Sequence, residues 1–282
     1  MSEPSSSHLA DRVVVVTGGG SGFGRLIAEM SAARGARVVV ADVNEEAAGA
    51  VASALGESGA EALAVTCDVT DLAQVRALVA ATVERFGAVD VMVNNAGIMP
   101  LAFFADHETA SEAWDRCIDI NFKGVVHGIS AVYDQMIDQG RGHVVNIASV
   151  YGNAGVAGSG VYSATKAAVG VVSDALRKET QGRIKVTTVR PTGVLNTGLA
   201  STVVNPMASE GIVGPNQDRF MDRTIAYLSG TLEGPEADVD SPQFFAIEPE
   251  TIAAEVIHAI DQPWGVVISD VTIRATGEMF VI

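Results

Sequence analysis

The sequence predicts a doubly wound α/β fold, in which one parallel β-sheet is covered by helices on both faces. Short apolar segments rich in β-branched residues alternate with segments of helical periodicity, and strict alternation is typical of a parallel sheet. The chain has 282 residues, of which 48% are hydrophobic, so it is long and apolar enough to build one large core. The formal net charge of −16 disfavours nucleic acid as a partner, because phosphate binding needs a clustered basic surface.

The first half of the chain contains four predicted strands and three predicted helices. A β-branched run at 13–16 ends in a glycine cluster, which indicates a buried strand that enters a turn. The following helix closes with a cation and a glycine, Arg34 and Gly35, as helix C-termini commonly do. The predicted elements after the first strand are helix 23–33, strand 37–41, helix 45–55, strand 62–66, helix 72–86 and strand 89–93.

The second half begins with a long helical pattern at 111–139, interrupted around Asn121 and Gly124. Strand 143–148, helix 161–179 and strand 184–189 follow, and regularity ends at Pro191. Residues 192–248 form an irregular region with one predicted helix at 217–228, and a loop this long inside a compact domain usually covers a site or is mobile. A helix from Pro249 to about 260 and a strand at 266–273 bring the sheet to about seven strands. Residues 1–282 are therefore predicted to form a single domain.

The turn between the first strand and the first helix is rich in glycine, reading TGGGSGFG from Thr17 to Gly24. Glycine lets the backbone approach a pyrophosphate closely, and the helix start supplies free N–H groups. Asp42 ends the second strand 18 residues after Gly24 and is placed to accept hydrogen bonds from an adenosine ribose. Its charge would repel a 2′-phosphate, which favours NAD over NADP. A flexible loop and a solvated Asp that opens a turn are the alternatives.

A second group of polar residues follows the strand at 143–148. Tyr162 and Lys166 are four residues apart, so on a helix they share one face, and a nearby ammonium favours the phenolate and lowers the tyrosine pKa. Ser149 stands at the carboxyl end of the strand, where open α/β sheets bind their ligands. A tyrosine–lysine pair at this spacing also occurs by chance in many helices.

Taken together, these motifs resemble those of the short-chain dehydrogenase/reductase family, from about residue 9 to 273. The pieces stand in the family's order: the glycine turn, Asp42, CDV at 67–69, NNAG at 94–97, Asn121, Ser149 and YSATK at 162–166. The resemblance implies a Rossmann-type domain that transfers hydride between NAD and a secondary alcohol or ketone. It also implies a homotetramer in which the helices around Asn121 and after Tyr162 form a four-helix interface.

The resemblance assigns roles residue by residue. Tyr162 is expected to donate and accept the proton, Lys166 to lower its pKa and hold the nicotinamide ribose, Ser149 to bind the substrate oxygen and Asn121 to hold a water in a proton relay. Asn94 is expected to steady the central sheet. The residues expected to contact the cofactor are Gly18, Ser21, Gly22, Phe23, Gly24, Asp42, Val43, Asp68, Val69, Asn95, Ala96, Gly97, Tyr162, Lys166, Pro191, Gly193, Val194 and Thr197.

Two of these assignments leave alternatives open. Asp68 is expected beside the adenine amino group, but a lone Asp at this point also serves as a cap for the helix that begins at Leu72. The family commonly has Pro-Gly and then Thr after the sixth strand. This chain reads Pro191-Thr192-Gly193 instead, and either Asn196 or Thr197 falls near the position of the threonine that contacts the nicotinamide amide.

The substrate is expected to be a neutral, hydrophobic alcohol or ketone, of which alicyclic, aromatic and steroid-like compounds are examples. The flanks of Ser149 and of Gly97 and the irregular region are mostly apolar, and no Arg or Lys stands near the serine in sequence. The same apolar residues are also ordinary packing residues. The predicted substrate contacts are Val150, Tyr151, Ala154, Leu195 and Met207, with Met99 and Phe104 as further candidates.

The remaining features exclude other classes. The spacing of His127, His143 and His258 does not match a local metal site, and the two cysteines, Cys67 and Cys117, give no disulfide framework. No signal peptide or membrane segment is apparent, so a cytoplasmic protein is expected. A non-catalytic dinucleotide-binding redox sensor is the competing hypothesis, and a sugar-nucleotide epimerase is disfavoured because that branch needs a longer C-terminal domain. The apolar tail 277–282 is predicted to dock on its own chain or on a neighbour.

Overall fold

The core of the structure is a parallel β-sheet flanked by helices. The computed structural model describes residues 7–195 and 197–282. The strands are β1 (Val13–Thr17), β2 (Arg37–Asp42), β3 (Ala62–Thr66), β4 (Val91–Asn94), β5 (Gly142–Ile147), β6 (Ile184–Pro191) and β7 (Asp270–Ile273). The helices are α1 (Gly22–Ala32), α2 (Glu45–Glu57), α3 (Leu72–Phe86), α4 (His107–Ile118), α5 (Gly124–Asp138), α6 (Gly160–Glu179), α7 (Glu210–Val213), α8 (Gln217–Leu228) and α9 (Pro249–Ile260).

The strand order is β3-β2-β1-β4-β5-β6-β7, and every pairing is parallel. β1 pairs with β2 on one side and with β4 on the other, so the direction of winding reverses between β1 and β4. Open sheets of this kind bind ligands outside the carboxyl ends of the strands at this reversal. The predicted Rossmann-type fold, a single domain with seven strands, is therefore confirmed.

Alternation along the strands divides the core into two layers. Val14 and Val16 of β1 pack with α1, α2 and α9 on one face, whereas Val13 and Val15 pack with α3, α5 and α6 on the other. Both sets are buried, which explains why the strands read as unbroken apolar runs.

Most predicted elements occur where the sequence placed them, and the differences lie at element ends. α4 begins at His107 and not at 111, because a 3₁₀ turn at Phe104–Asp106 leads directly into it. β4 begins at Val91, after the predicted residue 89. β7 starts only at Asp270, because Val266 belongs to a turn in which its N–H donates to the carbonyl of Pro263 at 2.9 Å.

The irregular region is built from short helical turns around α7 and α8. Its predicted helix at 217–228 is confirmed as α8. Ala208, Ile212 and Val213 bury their side chains against the segment that follows β5, so this region packs over the carboxyl ends of the strands. Among the described residues, none of the helices combines the length and the apolar character needed to cross a membrane.

Candidate active site

The glycine turn after β1 leaves no room for larger residues at two positions. A Cβ on Gly24 would lie 2.1 Å from the carbonyl oxygen of Gly18, and Gly18 itself has φ +61°. Asn95, which follows β4, donates from Nδ2 to the carbonyls of Thr17 at 2.9 Å and Gly18 at 3.1 Å. The turn is thus held tightly against the end of β4. The N-cap residue of α1 is Ser21, and its side chain makes no capping hydrogen bond among the described residues. The backbone N–H groups at the start of α1 therefore suit an anionic pyrophosphate.

Asp42 is held rigidly at the end of β2. Its Oδ2 accepts from the N–H of Gly20 at 2.9 Å, and its Oδ1 accepts from the N–H of Asn44 at 2.9 Å. Each carboxylate oxygen has further acceptor capacity, so the group can still accept from two ribose hydroxyls. The residues present therefore fit the adenosine half of a dinucleotide that carries no 2′-phosphate.

Asp68 and Val69 line the same cavity beyond β3. The Oδ1 of Asp68 accepts from the N–H and the hydroxyl of Thr70, at 2.9 and 2.8 Å. The cap of α3 is Asp71, whose side chain accepts from the N–H of Ala73 at 2.8 Å. The alternative that Asp68 caps this helix is therefore wrong, because the helix has its own cap three residues later.

The Ser–Tyr–Lys group forms one wall of the cavity. Ser149 stands just beyond β5, while Tyr162 and Lys166 project from the first two turns of α6, and all three side chains are buried and line the cavity. The Lys166 Nζ donates to the carbonyl of Ile147 at 2.8 Å. This bond ties α6 to the end of β5, the strand that leads into Ser149.

The electrostatics of this wall differ from the sequence-based expectation. Burial raises the pKa of Tyr162 above its ordinary value, although a hydrogen bond with Ser149 counteracts the rise in part. Burial also lowers the pKa of Lys166 to about 8. The sequence predicted a lowered tyrosine pKa. The structure gives the opposite direction, because desolvation of the phenol dominates and the ammonium faces the Ile147 carbonyl, 5.8 Å from the centre of the tyrosine ring.

Asn121 lies behind the cavity wall, in a single π-helical turn at Asp119–Lys123 between α4 and α5. Its Nδ2 donates to the carbonyl of Ile98 at 2.8 Å, and its Oδ1 accepts from the N–H of the same residue at 2.9 Å. The side chain is fully buried. The interruption predicted around Asn121 and Gly124 is confirmed, and the bonds of Asn121 to Ile98 hold the irregular segment after Gly97 in place. π-turns of this kind are frequent at functional sites.

The loop after β6 closes the cofactor end of the cavity. Pro191, Gly193, Val194 and Thr197 all line the cavity, as does Thr192. Asn196 lies outside the described residues, so the choice between it and Thr197 stays open. The other predicted cofactor residues in the lining are Gly18, Ser21, Gly22, Phe23, Asp42, Val43, Asn95, Ala96 and Gly97. Gly24 does not line the cavity and acts through its close packing against Gly18.

The substrate end differs in part from the prediction. Tyr151, Leu195 and Met99 line the cavity, whose volume is about 870 Å³. Val150 is fully buried behind the wall. Ala154, Met207 and Phe104 are exposed and do not line the cavity. Phe104 instead lies in the turn before α4, with its ring edge-on to Trp114.

The structure also brings in residues that sequence reasoning missed. Phe220 of α8, Ile212 of α7 and Phe280 near the C-terminus all line the cavity. No local motif marks them, because they come from three segments that only folding brings together. Arg116 of α4 also lines the cavity, and because it is 33 residues from Ser149 in sequence, a search of the serine's sequence neighbours does not find it.

The histidines and cysteines take structural positions. His143 is fully buried and pairs through Nε2 with the hydroxyl of Thr187 at 2.8 Å, and His127 Nδ1 lies 2.8 Å from the carbonyl of Val69. Cys67 and Cys117 are buried free thiols. Within 7–195 and 197–282 no group of three potential metal ligands comes together.

Comparison with known proteins defines the class of this site. Residues 12–207 match the family model described as short chain dehydrogenase. The chain is 32% identical over 267 residues to an uncharacterized oxidoreductase of Staphylococcus aureus (strain MW2), covering 94% of this chain and 98% of the relative. The protein therefore belongs to the short-chain dehydrogenase family and is an oxidoreductase of that family.

Two solved structures resemble the fold over nearly its whole length. Levodione reductase matches with a TM-score of 0.76 and 33% identity, covering 94% of this chain and 97% of that one. A short-chain dehydrogenase/reductase from Burkholderia phymatum in complex with NAD matches with a TM-score of 0.74 and 29% identity, covering 94% and 89% of the two chains.

Proposed function

We propose that this protein is an NAD-dependent oxidoreductase that interconverts a neutral, hydrophobic secondary alcohol and its ketone. The observation that carries the proposal is the convergence of Ser149, Tyr162 and Lys166, all buried, on one cavity that also contains the glycine turn and Asp42. The similarity to a family member crystallised with NAD supports the choice of cofactor. Bound NAD supplies the hydride acceptor in the direction of alcohol oxidation.

Tyr162 acts as the general acid and base. Because burial raises the pKa of Tyr162, its resting form is the neutral phenol, which is ready to give a proton to a ketone oxygen. The hydroxyl of Ser149 holds that oxygen by a hydrogen bond. Lys166, as the ammonium, stabilises the phenolate that Tyr162 becomes, and its bond to the Ile147 carbonyl keeps it on the same wall.

The apolar lining defines the substrate class. Tyr151, Leu195, Met99 and Phe220 surround the substrate end of the cavity. Arg116 is the one basic side chain that the described lining adds besides Lys166, and it is exposed on α4. A cyclic, aromatic or steroid-like skeleton suits such a surface, and the similarity to levodione reductase supports a ketone as one partner of the reaction.

The tyrosine variant tests this function. We expect Tyr162→Phe to lower kcat for secondary alcohols by about 10²–10⁴-fold, since it removes the proton-transfer group and keeps the ring. Turnover is followed by the absorbance of reduced nicotinamide. Tyr133→Phe on α5 is the matched control and should keep wild-type activity. Activity that survives Tyr162→Phe contradicts the mechanism. NAD binding without turnover of any alcohol or ketone favours a non-catalytic redox sensor instead.

A further inference from the structure

The C-terminal tail, residues 274–282, is anchored on the irregular region. The N–H of Gly277 donates to the carbonyl of Phe244 at 2.8 Å, and the N–H of Val281 donates to the carbonyl of Ile212 at 2.8 Å. Arg274 donates from Nη2 to the carbonyl of Ile282 at 2.7 Å, and Met279 is buried. Of the two predicted arrangements, docking on its own chain or on a neighbour, these contacts show the first. Its path is fixed at both ends.

Glu278 ties the same tail to the loop after β6. Its carboxylate accepts a hydrogen bond from the Thr192 hydroxyl and forms an ion pair with Arg274. The Glu278 side chain is only 10% exposed, so its carboxylate is largely shielded from solvent, whereas Arg274 is 37% exposed. The ring of Phe280 packs directly against Gly193, next to Thr192. A Cβ at this position would lie 2.7 Å from the ring, so only glycine fits without a shift. The tail and the loop that lines the cofactor end therefore have complementary shapes.

Phe280 projects from this anchored tail into the cavity. Its ring centre lies 6.3 Å from that of Tyr151 and 6.0 Å from that of Phe220. Tyr151 in turn stands edge-on to Tyr162, with ring centres 5.5 Å apart. The aromatic wall, formed by Tyr151, Phe220 and Phe280, thus begins beside the acid/base residue and lines the cavity. Aromatic rings at these distances and angles hold one another in place.

We propose that Phe280 is a specificity-determining residue, which through the aromatic wall makes the site prefer cyclic over short linear alcohols and ketones. The inference rests on the proposed function and names the substrate class for that same site. A ring substrate buries more apolar surface against a broad aromatic wall than a short chain does. The side chain that sets this preference comes from the opposite end of the sequence from the glycine turn.

The test compares kcat/KM for cyclohexanol and 2-butanol with NAD. We expect Phe280→Ala to lower kcat/KM for cyclohexanol about tenfold or more and for 2-butanol by less than about twofold, because removing apolar contacts costs the larger ligand more. Phe280→Leu should lower kcat/KM for cyclohexanol by an amount between those of wild type and Phe280→Ala. Val281→Ala is the matched control, since it lies in the same tail with its side chain largely exposed, and it should keep the wild-type ratio.

Binding of NAD provides a readout besides turnover. The NAD-dependent rise in melting temperature should be the same in Phe280→Ala and wild type. An unchanged ratio of the two kcat/KM values in Phe280→Ala overturns the inference, and so does loss of the NAD effect, which assigns Phe280 a structural role. If wild type binds NAD but turns over neither these two alcohols nor any other secondary alcohol or ketone tried, the proposed function fails first and the inference fails with it.

Discussion

Asp42 shows how much a single side chain determines at this site. Both of its oxygens are already bonded to the backbone N–H groups of Gly20 and Asn44, so the carboxylate cannot rotate away from the cavity. Its position also restricts Gly20, where a Cβ would lie 3.0 Å from Oδ2. We therefore expect a negative charge fixed in this way to discriminate between cofactors that differ by one phosphate, because like charges at short distance repel.

We expect Asp42→Asn to raise the preference for NADP relative to NAD, measured as the ratio of kcat/KM values, by about 10–100-fold. The amide keeps the shape of the side chain but removes the charge that repels a 2′-phosphate, and losing an interaction of this kind is worth roughly 1–3 kcal/mol. Glu45→Gln removes a neighbouring carboxylate at the start of α2 and should leave the ratio unchanged. Equal or better use of NADP by wild type would refute the role of Asp42.

At the scale of elements, the site depends on how strands and helices are tied together. β4 and β5 are joined by the amide of Asn94, which donates to Asn146 at 2.8 Å, and Asn146 donates in turn to Ser173 on α6 at 2.8 Å. This buried chain places α6 against the sheet and so positions the tyrosine of its first turn. Asn94 therefore steadies the central sheet, as the sequence predicted.

His143 links β5 to β6 and gives the fold a pH dependence. It is fully buried beside Thr187, and burial, together with the charges of Lys185 and Arg12, holds its pKa well below 6.5. Below about pH 6.5 the His143 imidazole takes up a proton in the unfolded chain but not in the folded chain. Its neutral form therefore contributes fully to the free energy of unfolding above that pH, and this contribution is lost as the pH falls. For this one group, the free energy of unfolding is expected to fall by about 1.4 kcal/mol per pH unit below that pH.

Urea unfolding across the range from about pH 7 to pH 5.5 measures this dependence. We expect His143→Gln to show a shallower loss of the free energy of unfolding over this range than wild type does. His258→Gln changes an exposed histidine on α9 and should keep the wild-type slope. If the free energy of unfolding falls with pH equally steeply in His143→Gln and wild type, other titrating groups account for the pH dependence.

At the scale of the whole molecule, segments far apart in sequence close one cavity. The glycine turn comes from the first 24 residues, the Ser–Tyr–Lys wall from the middle, and Phe280 from the last three. The parallel sheet brings the first two together by aligning the ends of β1, β4 and β5. The irregular region and the C-terminal tail then pack over that edge of the sheet.

Assembly is the remaining expectation at this scale, and we propose a homotetramer. Val171 on α6 is 69% exposed, and an apolar side chain of this kind suits a helix face that packs against another copy. Light scattering after size exclusion should give four times the mass of one chain. Val171→Asp should yield smaller species, whereas Val239→Asp, equally exposed in the irregular region, should not. A monomer in wild type contradicts this expectation.

The sequence by itself predicted most of the elements and the candidate catalytic residues. Strands and helices are recognisable because their periodicity and caps are local, and the glycine turn, Asp42 and the tyrosine–lysine pair are recognisable because each lies within a short segment. The irregular region gave a weaker signal. There the sequence identified α8 but not the 3₁₀ turns around it.

Only the tertiary structure decided the substrate wall and the electrostatics of the tyrosine. Ala154 and Met207 seemed equally suited to contact a substrate, yet they are exposed, while Phe220 and Phe280 line the cavity from segments that no local pattern connects. The pKa of Tyr162 is raised and not lowered, because desolvation depends on everything that surrounds the phenol and not on the lysine one turn away. Burial and long-range contact are properties of the packed chain, and the sequence around any one residue does not contain them.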